Sequence, residues 1–352
     1  MTKMKDPTVI YDTKLALQGY AIGYQILEGG KVVHEHTYET PVKNLVVTAG
    51  KDFLCNSQQS NGLQVATKYL ARGSDSTPAA AGNTTLGAQI GNRTNSYLSG
   101  NPFTGVKYTA ATGLIQARRT YDSEVESGNQ NINEIGLFGN AYGTDMFSRI
   151  VLPSTVTVLT GQQLRLTYEL QITVGPITAT VSSPTITGWT TTGEKRLEGT
   201  FPTTADYGSS TNQFLSLWGT TGADVGITAG DFLCPAYPST FNYSTGWCFE
   251  WFTAKTFNTF GNVYYPTGTV YISNGSNQPN SDSGSGTCTL EAYTPGTFYR
   301  DLTVVAQPNY PSGLDAPAIK AIRCRGLTHI FDATVSKLNT QRLTLVFRVS
   351  VA

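Results

Sequence analysis

His34-Glu35-His36 is the cluster in this chain whose residue types and spacing suit a metal ion. On a β-strand, residues two apart project to the same side, so both imidazoles face one way. Imidazole is a good ligand for borderline transition ions, and in a symmetric oligomer several such pairs would converge on an axis. The competing reading is an exposed ribbon carrying polar side chains, and it takes precedence. No metal and no cofactor is expected, and His34 and His36 are kept only as candidates. A second cluster, Asp122, Glu124, Glu126 and Glu134, supplies the carboxylates that glycoside hydrolysis would need. That chemistry requires two of them across a cleft, which spacing in sequence does not establish. Asp122, Glu124 and Glu126 alternate along one extended stretch close to Arg118 and Arg119, a pattern that predicts a solvated strand face or a subunit contact.

The rest of the catalytic repertoire is thin. There are three histidines, at 34, 36 and 329, so general bases are few. No glycine-rich loop ends in Gly-Lys-Ser/Thr, and no Cys-x-x-Cys pair marks a zinc site. The chain is not expected to be an enzyme. Five cysteines at irregular spacing make a poor disulfide framework. Cys55 and Cys234 read as small buried hydrophobes of a reducing cytoplasm. A Cys248–Cys288 pair is left open.

The elements that must carry these residues are written twice. Val47-Thr48-Ala49-Gly50-Lys51-Asp52-Phe53-Leu54-Cys55 returns, one residue shorter, as Ile227-Thr228-Ala229-Gly230-Asp231-Phe232-Leu233-Cys234. The run from Leu164 to Ile172 returns from Leu343 to Val351, and both matches sit 179 residues apart. That period is too long for a solenoid or propeller repeat and fits two whole domains. Between these marks, Ile132 to Gly136 is answered by Ile319 to Arg323, and Met146-Phe147 by Ile330-Phe331. The strongest strand is Leu164 to Val174, apolar at every second place, so one face should be buried and the other wet. Shorter strands are expected at Ala21–Leu27, Lys68–Ala71, Ile132–Phe138 and Asp145–Leu152, with a turn at Glu28-Gly29-Gly30-Lys31. A short helix is expected to carry Phe53 and Leu54, and a loop to run from Arg72 to Asn83.

The fold class follows. It is mostly β: two tandem, related β-sandwich-like domains with short helices and an N-terminal arm. The arm and a β-ribbon occupy residues 1–45, the first domain 46–177, a linker 178–188 and the second domain 189–352. Residues 273–287 read as a long polar loop. The aromatic run from Trp247 to Phe260 reads mainly as core, with a sugar-binding receptor surface as the alternative.

Composition agrees. Of 352 residues, 39% are hydrophobic and 14% charged, against about 25% charged in an average domain. With 15 Phe, 4 Trp and 19 Tyr there is ample material to bury. Lys and Arg number 24, as do Asp and Glu. No long-range field draws the chain to nucleic acid or to an anionic membrane, and weak self-repulsion suits a protein that packs against its own copies. No apolar run approaches the roughly 18 residues of a span, and the first residues do not read as a signal peptide.

A resemblance sharpens the function. Tyr69-Leu70-Ala71-Arg72-Gly73-Ser74-Asp75-Ser76-Thr77-Pro78 is a strand ending in a Gly-Ser-x-x-x-Pro loop, followed by a Leu-containing segment, Thr84 to Ile90, taken as a short helix. Asn131 to Leu137, Met146 to Leu152 and Thr157 to Leu170 supply an Asn-Glu-Ile-Gly-Leu strand, a Phe-Ser-Arg strand and a closing strand after Gly-Gln-Gln. Together, over about residues 45–175, this resembles the structural proteins of tailed bacteriophages, of the tail-fibre, appendage and neck-associated type. The second half keeps the Thr-Ala-Gly and Phe-Leu-Cys marks and the closing strand but lacks the Gly-Ser-x-x-x-Pro loop. The resemblance implies a virion protein, made in the host cytoplasm, that forms homo-oligomers and contacts other virion proteins as a collar, appendage or fibre-anchoring component. The alternatives it leaves are a head-decorating or tail-sheathing coat protein, or a receptor-binding module using the second domain against a host surface receptor. The arm, Met1 to Tyr20, is expected to dock on a neighbouring subunit.

Overall fold

The computed structural model describes residues 8–56, 66–95, 105–109, 114–181, 189–197, 247–252, 270–273, 286–306, 319–324, 327–335 and 340–352. The protein is mostly β, with one short helix among the described residues. The first half runs β1 (Thr8–Glu28), β2 (Lys31–Val46), α1 (Thr48–Asn56), β3 (Tyr69–Gly73), β4 (Gln89–Thr94), β5 (Gly105–Thr109), β6 (Leu114–Asp122), β7 (Gln130–Phe138), β8 (Met146–Val158) and β9 (Gln162–Val174). The second half runs β10 (Thr178–Val181), β11 (Gly193–Leu197), β12 (Trp247–Phe252), β13 (Val270–Ser273), β14 (Gly286–Leu290), β15 (Tyr299–Ala306), β16 (Ile319–Cys324), β17 (Leu327–Val335) and β18 (Leu343–Val351).

β1 organises the rest. Val9, Tyr11, Thr13 and Leu15 are buried in alternation, the period of a strand with one face in the core. Along one side of β1, Leu15–Glu28 pairs antiparallel with β9. The chain then breaks at Gly175-Pro176, where Gly175 N donates to Lys14 O, and continues as β10 against Val9–Asp12. Along the other side, Gly19–Glu28 pairs with β2 and Thr8–Leu15 pairs parallel with β18. The β1–β2 hairpin closes through Gly29 and Gly30 at φ of 56° and 78°. Two consecutive left-handed residues are what a two-residue type I′ turn requires, and glycine adopts them without steric cost.

Thirteen strands form one curled, largely antiparallel sheet and five form a second. Within them the same neighbour order occurs in each half. β2-β8-β7-β3-β4 is followed in the first, and β11-β17-β16-β12-β13 in the second. Likewise β9-β6-β5 stands beside β18-β15-β14. Each of these pairings is antiparallel. Taken in chain order, the two series correspond strand for strand.

One contiguous core runs through both halves, from Val9, Tyr11 and Leu15 to Phe331, Leu345, Phe347 and Val351. Tyr11 stacks on Phe347, with ring centroids 5.2 Å apart and planes inclined by 11°. A smaller cluster comprises Val47, Ala71, Phe138, Met146 and, from the loop between β3 and β4, Leu86.

Several sequence expectations hold. The strand Leu164–Val174, the helix carrying Phe53 and Leu54, and the turn at Gly29-Gly30 are all present. Leu164, Leu166, Tyr168, Leu170 and Ile172 are buried in alternation, as read, but the opposite face, expected to be wet, is largely half-buried, with Glu169 at 2% exposure. Others are corrected. The arm is not free to dock elsewhere from Thr8 onward, because Thr8–Tyr20 is bonded within the chain on both sides of much of its length. The linker 178–188 begins with a strand, since Thr178–Val181 forms β10; residues 182–188 lie outside the described ones. Thr84–Ile90 is not a helix: it runs as an irregular segment into β4, for a reason that the site makes plain. Cys234 and residues 253–260 lie outside the described residues, and Cys248 and Cys288 fall on β12 and β14, in different sheets.

Replacing Phe347 by Ala removes the ring that Tyr11 stacks on and leaves a cavity in the shared core. The expected cost is about 3–5 kcal/mol. Because the core is continuous, urea unfolding followed by fluorescence and by far-ultraviolet dichroism should remain a single, coincident, down-shifted transition. Two separated transitions would contradict a shared core.

Candidate functional site

His34 and His36 lie on the β1–β2 ribbon, and both are exposed. They share a side of β2, as expected: Tyr24 on β1 contacts both rings, with centroids 5.8 Å from His34 and 5.2 Å from His36. His36 also meets Tyr38 edge-on at 4.8 Å. Among the described residues no group of three or more His, Cys, Asp and Glu is placed to hold a metal.

The four acidic residues are not a solvated strand face. Glu126 and Glu134 are 4% and 0% exposed, and every one of the four is engaged by an arginine. Asp122 accepts both bonds of a bidentate pair from Arg165, at 2.6 and 2.8 Å. Glu124 and Glu126 both bind the buried Arg72 of β3, Glu124 at 3.0 Å and Glu126 through the guanidinium Nε. Glu134 Oε2 accepts from Arg149 Nε at 2.7 Å. Burial works against the Arg72 charge, but the bonds to Glu126 and Glu124 outweigh it and hold the guanidinium above its ordinary pKa. Glu124 is pushed up by burial and held below the usual carboxylate range overall by Arg72 and the Asn92 N–H. Nearby, Arg118 pairs with the buried Glu169 at 2.7 Å, and Arg119 donates to Thr67 O at 2.8 Å. Each of the four carboxylates is thus bonded to a guanidinium.

What the network positions is the exposed loop of residues 74–88. Glu134 Oε1 accepts the Ala88 N–H at 2.8 Å, and its Oε2 accepts the Gly87 N–H at 3.2 Å. Those two amides are therefore held by a carboxylate from β7, which explains why Thr84–Ile90 does not wind into a helix. Arg149 reaches on to Asp75 at 3.0 Å and Asn83 at 3.1 Å. Asp75 in turn accepts the Thr77 N–H and hydroxyl, at 3.0 and 2.8 Å, and sits below the ordinary carboxylate pKa chiefly because of those two bonds. Asn133 donates to Ser74 O at 2.8 Å. Gly91, at φ +59°, lets Glu124 pass where a Cβ would stand. The neighbouring β7–β8 turn is fixed in the same manner. Arg93 donates to Gly143 O at 2.7 Å and Asn140 O at 3.1 Å and lies 3.4 Å over the Phe138 ring. That turn displays Tyr142, 83% exposed. The arrangement holds an exposed loop and an exposed turn in fixed positions by hydrogen bonds and ion pairs.

His329, the third histidine, is buried and structural. Its Nδ1 accepts from the Tyr11 hydroxyl at 2.9 Å, and its Nε2–H donates to Thr192 O at 3.1 Å, which fixes the tautomer. Burial pushes its pKa down to about 4. It thus joins β1, β17 and the segment preceding β11. Cys55 is buried at the end of α1 as expected, and burial pushes its thiol up to about 12, which makes it unreactive.

Sequence reading missed this network because each carboxylate finds its partner far along the chain. One signal was present: Glu134 and Arg149, of opposite sign, are each the one charged residue of its strand. In the comparisons with known proteins, the chain matches no protein-family model, no curated protein and no solved structure.

Two outcomes follow. Replacing Glu134 by Leu leaves Arg149 buried without its main partner and should cost about 3–5 kcal/mol. The E134L/R149M double variant should recover part of that loss while residues 74–88 still gain amide hydrogen exchange, because the Gly87 and Ala88 amides have lost their acceptor. Second, His329 binds protons less readily folded than unfolded, since its folded pKa of about 4 lies below its ordinary 6.5. Its contribution is fully present above about pH 6.5 and is lost as pH falls toward 4, by roughly 3 kcal/mol. Urea midpoints of His329→Phe should be lower than wild type at pH 7 but flatter over that window.

Proposed function

We propose that this chain is a structural protein of a tailed-bacteriophage virion. It is assembled in multiple copies at the tail or neck, as a collar, appendage or fibre-anchoring component, through protein–protein contacts and without catalysis. The observation that carries the reading is the correspondence of strand order between the halves, β2-β8-β7-β3-β4 with β11-β17-β16-β12-β13. It supports a tandem duplication of one β-sandwich-like unit, as the repeated sequence marks imply. The region that resembles phage structural proteins is also the one whose loop, residues 74–88, is locked by buried charge. Binding a partner costs less when the contacting loop is already ordered, so an investment of this kind suits a docking surface. A formal charge of zero suits close packing of copies.

The test is to locate the chain in purified particles. Antibody labelling should mark intact virions at the tail or neck, and quantitative mass spectrometry should give a low, ring-like copy number. A copy number matching the head lattice or the tail length would favour a coat role instead. Absence from particles would end the virion reading.

A further inference from the structure

We propose that His34 and His36 form a two-imidazole site for one borderline divalent transition ion, with Ni²⁺ as its probe. The stretch that carries them is regular: His34 pairs with Ile26, Glu35 with Gln25 and His36 with Tyr24. The irregularities of the hairpin fall on either side, between Ile26 and Leu27 and between Ala21 and Gly23. The two imidazoles therefore stand on one side of β2, about 6.6 Å apart at the backbone for two residues of extended chain. A metal–imidazole bond of about 2.0–2.1 Å brings both rings onto one ion at that spacing. Tyr24 contacts both rings from the neighbouring strand and supports them from below.

The contrast with His329 is informative. That ring spends both nitrogens on partners inside the chain. No hydrogen bond from a described residue engages the ring nitrogens of His34 or His36, and both rings face solvent. Glu35 projects to the opposite side, where Gln25 donates to its carboxylate at 3.0 Å, so it is not a ligand to the same ion. Two nitrogen donors without a carboxylate select Ni²⁺, Cu²⁺ or Zn²⁺ over Mg²⁺ or Ca²⁺. With no third ligand among the described residues, the remaining coordination positions are left to water or to a donor from another molecule. This inference is independent of the virion reading.

The experiment is calorimetric titration of the full chain with Ni²⁺, alongside His34→Ala, His36→Ala and the double variant. Both positions are exposed, so far-ultraviolet dichroism should show all four proteins equally folded. Wild type should bind one Ni²⁺ and leave Mg²⁺ unbound. Each single substitution should weaken Ni²⁺ binding by more than about tenfold, because even losing a group that merely supports a ligand costs about 10–100-fold. The double variant should bind none. The site is refuted if wild type gives no binding heat, or if the double variant keeps its Ni²⁺ affinity within about twofold of wild type.

Discussion

The fold depends on β1 having a bonded neighbour on each side along most of its 21 residues. Four strands supply those neighbours. β9 and β2 come from the first half and flank its C-terminal portion; β10 and β18 come from the second and flank its N-terminal portion. A buried strand cannot leave its amides and carbonyls unpaired without a cost of about 1–3 kcal/mol for each group. A slip of one residue would also turn every core side chain outward. Tyr11 fixes the register: its ring stacks on Phe347 of β18 while its hydroxyl donates to His329 of β17. One side chain thus sets the position of β1 against two strands of the second half at once.

Buried charge does the corresponding work away from β1. Guanidinium groups go into a protein interior only when several acceptors receive them. Arg149 meets this condition with Glu134, Asp75 and Asn83, drawn from β7 and from two points of the 74–88 loop. The geometry it demands is specific, so it orders a loop that offers little apolar surface of its own. Arg300 does not meet the condition, for its Nε is buried without a hydrogen-bond partner. It is 2% exposed, and it donates to Cys55 O at 3.4 Å. That carbonyl lies at the C-terminal end of α1, where the helix carries partial negative charge. Burial still lowers the Arg300 pKa. Asp52 completes the attachment of α1 to the second half by accepting from the Tyr293 hydroxyl and from the Gly296 N–H, the latter at 2.8 Å.

Strands whose partners lie close in sequence, or whose alternation is complete, were legible without the structure. β9 and β18 alternate along their whole length, and Gly29-Gly30 announces a turn by conformational need. The N-terminal portion of β1 was not legible as a core strand. Asp12 and Lys14 interrupt its apolar character, and its parallel partner is more than 300 residues away. Thr84–Ile90 has helix-compatible residues, but local preference yields when Glu134 captures two of its amides. Glu124 and Glu126 look solvated because Arg72, their buried counterion, is 52 and 54 positions distant. Charge pairing of that range has no local signature. His34 and His36 were legible because a pair two apart on a strand needs only the strand to be correct.

The distance between β1 and its last partner also shapes how the chain reaches this state. The bond from Ser350 to Asp12 spans 338 residues, and that from Tyr11 to His329 spans 318. Contacts of such separation carry loop-closure entropy before they return any stability, and they slow folding. The first half can close β1 against β2 and β9 as soon as residue 174 is available. Thr8–Leu15 must wait for β18, the final strand. Until then it presents an open, partly apolar edge of the kind that pairs with other chains. Completion of the second half is therefore what removes the most adhesive edge of the first. A chain truncated before Leu343 would keep that edge, however well its first half had folded.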